Sequence, residues 1–442
     1  MSRNFGIYLV FLTAGTLLLF SSFNGDRWAV TKSYNYRGWQ TTSERVVVAR
    51  LAKSQQDGLL SAGGLMGLLD SSEGWVFGTE IANHQYEVYE TGQPIQSYLV
   101  YKSHPGFQGI LFGMFDRLTS FPATVNLAIF RGSVALASSL AVALIAAGIA
   151  IEFGWLAAIM LLLFAAVSEW MILPAGSLYW NLWAFFLPFV YGTYMLADAS
   201  KKNRYPTLKI YSVIFVTVLI KILFTGYEII TTSLVMASVP FVYFAVKDKW
   251  GWKTLMRRAT VLGITLALAI ITGLGILILQ ISAADGSLKS GIYYITDTFN
   301  RRAMGNPDEY RGVYAESLRA GYGTVIGKYL NTQAISIPTG GEKSISVAYW
   351  HLIVAFALFT AFYLHKHQAS LRGNHSEAGL PLVIATWYSI LAPLSWYIIF
   401  KPTSYIHTFL FPMAWQMPFV LLGFALCGYV IQDLFTKKNL GS

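Results

Sequence analysis

The chain has 442 residues, 55% of them hydrophobic and only 12% charged, with a formal net charge of +10. Soluble proteins carry roughly a quarter charged residues, so this composition excludes a water-exposed globule and assigns much of the surface to lipid. The basic residues fall in short blocks between apolar runs, which speaks against nucleic acid as a partner, and the single cysteine, Cys427, excludes an intrachain disulfide.

A spanning helix needs about 20 apolar residues. The first such run is 5–23; Ser21-Ser22-Phe23-Asn24 after it is a poor cleavage site, so it reads as a retained helix. Residues 24–125 form a long loop that opens on a charged, helix-patterned stretch, TTSERVVVARLAKSQQDGLLS (41–61). Its apolar residues (Val46, Val47, Leu51, Leu59, Leu60) and those of GILFGMFDRL (109–118) predict amphipathic helices lying on the membrane face. Further spans are expected at 126–151, 154–173, 178–197, 208–226, 229–246 and 259–281. A second long loop, 283–347, precedes spans at 348–365, 380–400 and 408–432. The expected fold is an all-α integral membrane protein of about ten spans. Its segments are 1–23 (first span), 24–125 (first loop), 126–282 (spans two to seven), 283–347 (second loop) and 348–442 (last three spans and tail).

Orientation follows from the basic blocks. Arg3, Lys201-Lys202-Asn203-Arg204, Lys247 to Arg258, His365 to Arg372 and Lys437-Lys438 fall on one side, which the positive-inside rule makes cytoplasmic together with both termini. The two long loops then lie outside. Ionisable residues inside spans are costly and are usually functional. Here Arg131, Glu169, Lys221, Glu228, Lys401 and His407 all fall near the outer ends of spans. Each has an ordinary alternative: snorkelling for Lys221, a carboxylate partner for Arg131, an interfacial histidine for His407. Together, beneath two outer loops, they place the polar chemistry on the outer side.

No GxxxxGK[ST] or Rossmann GxGxxG motif is present, AGGLMG (62–67) lacks a preceding strand, and HKHQ (365–368) lacks metal-ligand spacing. An enzyme working outside without nucleotides needs an activated group on a lipid phosphate. That chemistry calls for cations on the phosphate and a carboxylate base for the acceptor hydroxyl.

One span, a long outer loop with the early acidic residue of SERVVVARL, and a many-helix bundle together resemble the GT-C superfamily of membrane glycosyltransferases. The pieces HPGFQGILFGMFD (104–116), FTGYEIITT (224–232) and HTFLFPMAWQMPF (407–419) look like those of bacterial GT-C-like proteins. Two departures stand out: Ser43-Glu44 occupies the position where an acidic pair is common, and neither a C-terminal soluble domain nor a WWDYG-type motif is found.

The resemblance implies transfer of a sugar from a polyprenyl-phosphate donor to a surface glycan or lipid-linked acceptor, on the outer face of a bacterial cytoplasmic membrane. The expected mechanism is inverting and metal-independent, with no cofactor beyond the lipid-linked sugar as co-substrate. Glu44 is the expected base and Asp57 the second choice. Arg50, Gln108, Arg131, Glu169, Lys221, Glu228, Arg301, Arg302, Lys401, Tyr405 and His407 are the candidates for holding donor phosphate or substrate. Arg311 and Arg319 share the second loop, where Asn306-Pro307-Asp308 signals a turn. A polysaccharide polymerase or ligase is the alternative enzyme, and a lipid-linked-sugar flippase or transporter the alternative of another class.

Overall fold

The computed structural model describes residues 3–31, 33–70, 79–205, 207–338, 344–369 and 379–438. It is an all-α, multi-pass membrane protein with two small two-stranded antiparallel sheets among the described residues. Among the described residues, seven helices are long and apolar enough to cross a bilayer. An eighth crossing is obtained if α6 (Trp155–Val167) and α7 (Glu169–Ala175), bent by 68° at Ser168, form one broken span.

The expected ten spans are therefore too many by this measure. The 348–365 run forms an 18-residue helix, α15 (Tyr349–Lys366), which is not among the crossing helices; His351, His365 and Lys366 dilute it. The 408–432 run divides into a 3-10 turn, Phe411–Gln416, and a helix, Phe419–Lys438, whose apolar part is Phe419–Phe435.

The bundle is built on α1 (Arg3–Phe23), packed along α5 (Ala123–Phe153), with α8 (Leu182–Lys201), α9 (Thr207–Thr225), α10 (Ile230–Lys247) and α11 (Trp252–Asp285) following. Their outward faces carry exposed Val10, Leu17, Ile264, Leu268 and Ile271, as a lipid-facing surface requires. At 34 residues, α11 rises about 50 Å, well beyond a hydrocarbon core of about 30 Å. Its C-terminal part therefore reaches the first loop, where Gln280 donates to Pro105 O at 2.9 Å and Gly63 O at 3.2 Å.

The first loop folds as a cap rather than as helices lying flat on the membrane. Its α2 (Ser33–Asp57) is wrapped by α3 (Thr79–Thr91), α4 (Phe107–Leu118) and β1 (Gly67–Leu69), which pairs with β2 (Tyr98–Val100). Residues Glu44 to Ala52 are all buried. Burial on every side is the physical reason this helix has no lipid-facing stripe, so the expectation of an interfacial α2 is corrected. Cys427 is a free buried thiol, as a small core hydrophobe would be.

The second loop carries α12 (Leu288–Phe299), a π-turn at Asn300–Met304, α13 (Val313–Arg319), α14 (Tyr322–Asn331) and the β3 (Gln333–Pro338)–β4 (Ser344–Ala348) hairpin. The expected turn forms at Pro307–Glu309, where the Asn306 side chain accepts from Asp308 N–H at 3.2 Å.

Candidate functional site

A cavity of about 650 Å³ lies where the two long loops meet the ends of the spans. One wall is a face of α2: Trp39, Thr42, Ser43 and Val46, at spacings of three and four residues, with Arg45 beside them. Glu169 and Trp170 enter from the start of α7, just past the break at Ser168, and Tyr179 and Trp180 from the turn that follows it. Glu228, Arg302, Thr403 and His407 complete the polar lining. Residues 169, 228, 302 and 407, chosen separately from the sequence, are thus brought together.

The Glu228–Arg302 pair sits at 3.5 Å. Burial works against the Arg302 charge, but Glu228 and the neighbouring tyrosines outweigh it and lift its pKa further above the ordinary arginine value. Thr403 Oγ1 donates to Arg302 O at 3.4 Å and helps fix its backbone.

Glu228 is held from behind. The fully buried Lys221 ammonium donates to Gly226 O at 2.9 Å and to Glu228 O at 2.7 Å, bracing the turn between α9 and α10. Gly226 sits there at φ +58°, and a Cβ on it would meet His104 Cδ2 at 2.9 Å, so both conformation and space require glycine. His104 accepts from Gly106 N–H at Nδ1, 2.9 Å away, which leaves the proton on Nε2. Burial, with Lys221 nearby, pushes the His104 imidazole down to about 3.

Aromatic rings supply the rest of the wall. Trp39 and Trp180 lie 5.5 Å apart at 30°, and Trp39 meets Trp170 at 6.5 Å and 73°. Tyr101 and Tyr179 hydroxyls are 3.0 Å apart, and burial next to Glu228 pushes Tyr101 up to about 12, so it stays a neutral donor. Among the described residues, Trp39 Nε1, Trp180 Nε1 and His407 Nδ1 are buried without a hydrogen-bond partner. Chiefly through burial, His407 is held below the usual imidazole value and stays neutral near pH 7. Burial also lowers Arg45, although arginine keeps its charge in proteins. Among the described residues no three His, Cys, Asp or Glu side chains gather as metal ligands. Arg45 and Arg302 are the arginines of the cavity lining.

The remaining candidates stand elsewhere. Glu44 is fully buried: Oε1 accepts from Leu178 N–H at 3.0 Å, and Oε2 from Arg131 Nε and Nη2 at 2.9 and 2.8 Å. A carboxylate so enclosed is out of reach of an acceptor hydroxyl, which corrects the choice of Glu44 as base and gives Arg131 a structural partner. Asp57 is half-exposed and pairs with Lys53 one turn back. Arg50 donates to the carbonyls of Gly58, Leu59 and Ser61, closing the chain after α2, so no phosphate is needed to explain it. Gln108 is buried, its amide 3.4 Å from Tyr179 O.

Lys401 donates to Leu318 O and Ala320 O at 2.8 and 2.7 Å, and Tyr405 donates to Glu316; both tie the second loop down. Arg301 lies 5.1 Å from the Tyr314 ring, outside the cavity lining. Arg319 pairs with Asp308 at the surface.

Sequence reasoning missed Arg45 and the three tryptophans as site residues. The signal was present: Trp39, Thr42, Ser43 and Val46 share one helical face, and Arg45 borders it. No family model matches the chain, and neither a curated protein nor a solved structure shows significant similarity to it.

Proposed function

We propose that the chain is a membrane glycosyltransferase that moves a sugar from a lipid-phosphate donor to an acceptor hydroxyl, in the cavity beneath the two long loops. The observation that carries this reading is convergence. Two carboxylates, two arginines and a neutral histidine from distant parts of the sequence line one cavity together with three tryptophans. Indole faces suit the C–H faces of a pyranose. Guanidinium groups suit the phosphate.

Glu169 is the proposed base, because it enters the cavity at the start of α7 beside Trp170, one of the rings proposed to hold the sugar. Glu169 takes the acceptor proton as the acceptor oxygen bonds to the anomeric carbon from the face opposite the phosphate. The bond from that carbon to the phosphate oxygen breaks, its electron pair stays on the phosphate, and Arg302 and Arg45 stabilise the charge that develops. The product is inverted. The proposed setting is the outer face of a bacterial cytoplasmic membrane. The broken α6–α7 helix favours a second reading, a transporter, since discontinuous helices build transporter sites.

The experiment is a mass-spectrometric comparison of surface glycans and lipid-linked sugars in deletion and wild-type cells. The glycosyltransferase reading predicts an accumulated lipid-phosphate sugar and a glycan that lacks that sugar. Unchanged glycans and unchanged lipid-linked pools would rule it out. Substrate movement across liposomes by the purified protein, without transfer, would establish the transporter instead.

A further inference from the structure

A second polar cavity, of about 200 Å³, lies at the other end of the bundle, lined by Tyr205, Thr207, Tyr211, Arg257 and Arg258 over an apolar floor. Thr207 and Thr225 are the two ends of α9, so this cavity is about 28 Å along that helix from the turn that carries Glu228.

Its construction is specific. The Tyr205 and Trp250 rings stand perpendicular, 5.5 Å apart, and the Arg258 guanidinium carbon lies 3.7 Å from one ring centre and 3.8 Å from the other. The Tyr211 hydroxyl donates to Arg258 O at 3.1 Å. Asp248 accepts from Tyr205 and from Ser200, the latter at 2.8 Å. Among the described residues, neither Arg257 nor Arg258 has a carboxylate in ion-pair contact. Arg257 and Arg258 both line this cavity, and the two rings hold the Arg258 guanidinium in place, so an anion there meets an oriented cation. A water occupies about 30 Å³ of liquid volume, so the cavity has room for a tetrahedral oxyanion with attached water.

The surroundings indicate where the anion comes from. Leu208 and Trp252 are 83% and 70% exposed at the starts of two crossing helices, which puts this cavity at headgroup depth. Lys201, Lys202, Arg204, Lys209, Lys249 and Lys253 add positive charge around it. We infer that this cavity binds a phosphate group, presented by the headgroup of an anionic membrane lipid.

The test uses the full-length protein in nanodiscs of phosphatidylcholine alone, of phosphatidylcholine with phosphatidylglycerol, and of phosphatidylcholine with millimolar inorganic phosphate. It reads the thermal midpoint and lipid retention by native mass spectrometry. Expected are a higher midpoint with phosphatidylglycerol and roughly tenfold weaker retention of that lipid in Arg258→Gln. Arg257→Gln, at an exposed position that disturbs no ring contact, should weaken retention in the same direction and guards against misfolding of the first variant. A rise with inorganic phosphate alone, lost in both variants, keeps the phosphate site but assigns it to a soluble source. Equal phosphatidylglycerol retention in wild type and both variants, or no response to either anion, would overturn the inference.

Discussion

Neighbouring residues on one helix have different duties here. Glu44 and Arg45 are adjacent on α2, and a step of one residue turns a helix by about 100°. Glu44 therefore faces Arg131 while Arg45 lines the cavity. The sequence showed a carboxylate in the right region of the chain but not which way it pointed, and direction decided its role. Removing one member of a buried pair strands the other charge. Arg131→Gln should accordingly cost about 3 kcal/mol or more and lower the thermal midpoint of the detergent-purified protein. Glu44→Gln should lower it as well. A Glu44→Gln protein with wild-type stability and no transfer activity would return the base to Glu44. Glu169→Gln should abolish transfer, and Glu169→Asp, which keeps the carboxylate, should retain part of it.

Short elements around the cavity were harder to read than the spans. Apolar runs of about 20 residues announce themselves, and α1, α5, α9 and α10 fall close to where those runs lie. The α2 helix did not announce its place, because a helix buried on all sides and one lying on a membrane can both be rich in Val, Leu and Arg. The turn between α9 and α10 depends on Lys221 and Gly226, five residues apart, and on His104 from the first loop; no local pattern joins the histidine to the other two. That turn gives a pH prediction. In the folded protein His104 is pushed down to about 3, whereas an unfolded histidine titrates near 6.5. Below about pH 6.5 the unfolded chain binds a proton that the folded one refuses. The stability this neutral imidazole provides is thus complete above about 6.5 and lost progressively as pH falls toward 3, by up to about 1.4 kcal/mol per unit. His104→Gln should flatten that slope in unfolding measurements between pH 6.5 and 4.5. An identical slope in the variant would place the acid sensitivity elsewhere.

For the whole molecule, composition and charge patterning were enough to indicate an all-α membrane protein. By helix length and apolarity the described residues give seven or eight crossings against the ten expected, because α15 is polar-ended and the 408–432 region is divided. Orientation rests on the basic blocks and can be tested with one engineered cysteine at a time after Cys427→Ala. Arg319→Cys, at a side chain 62% exposed, should react with an impermeant maleimide in intact cells. Lys202→Cys, at one 67% exposed, should react only after the membrane is opened. The opposite pattern would invert the topology and place the large cavity inside the cell. The most direct test of the central claim is carrier release by reconstituted protein given the lipid extract of deletion cells. Wild type should convert the accumulated lipid-phosphate sugar to free lipid phosphate in the presence of acceptor, and Glu169→Gln should not. Equal release by both proteins, or release by neither, would contradict the account.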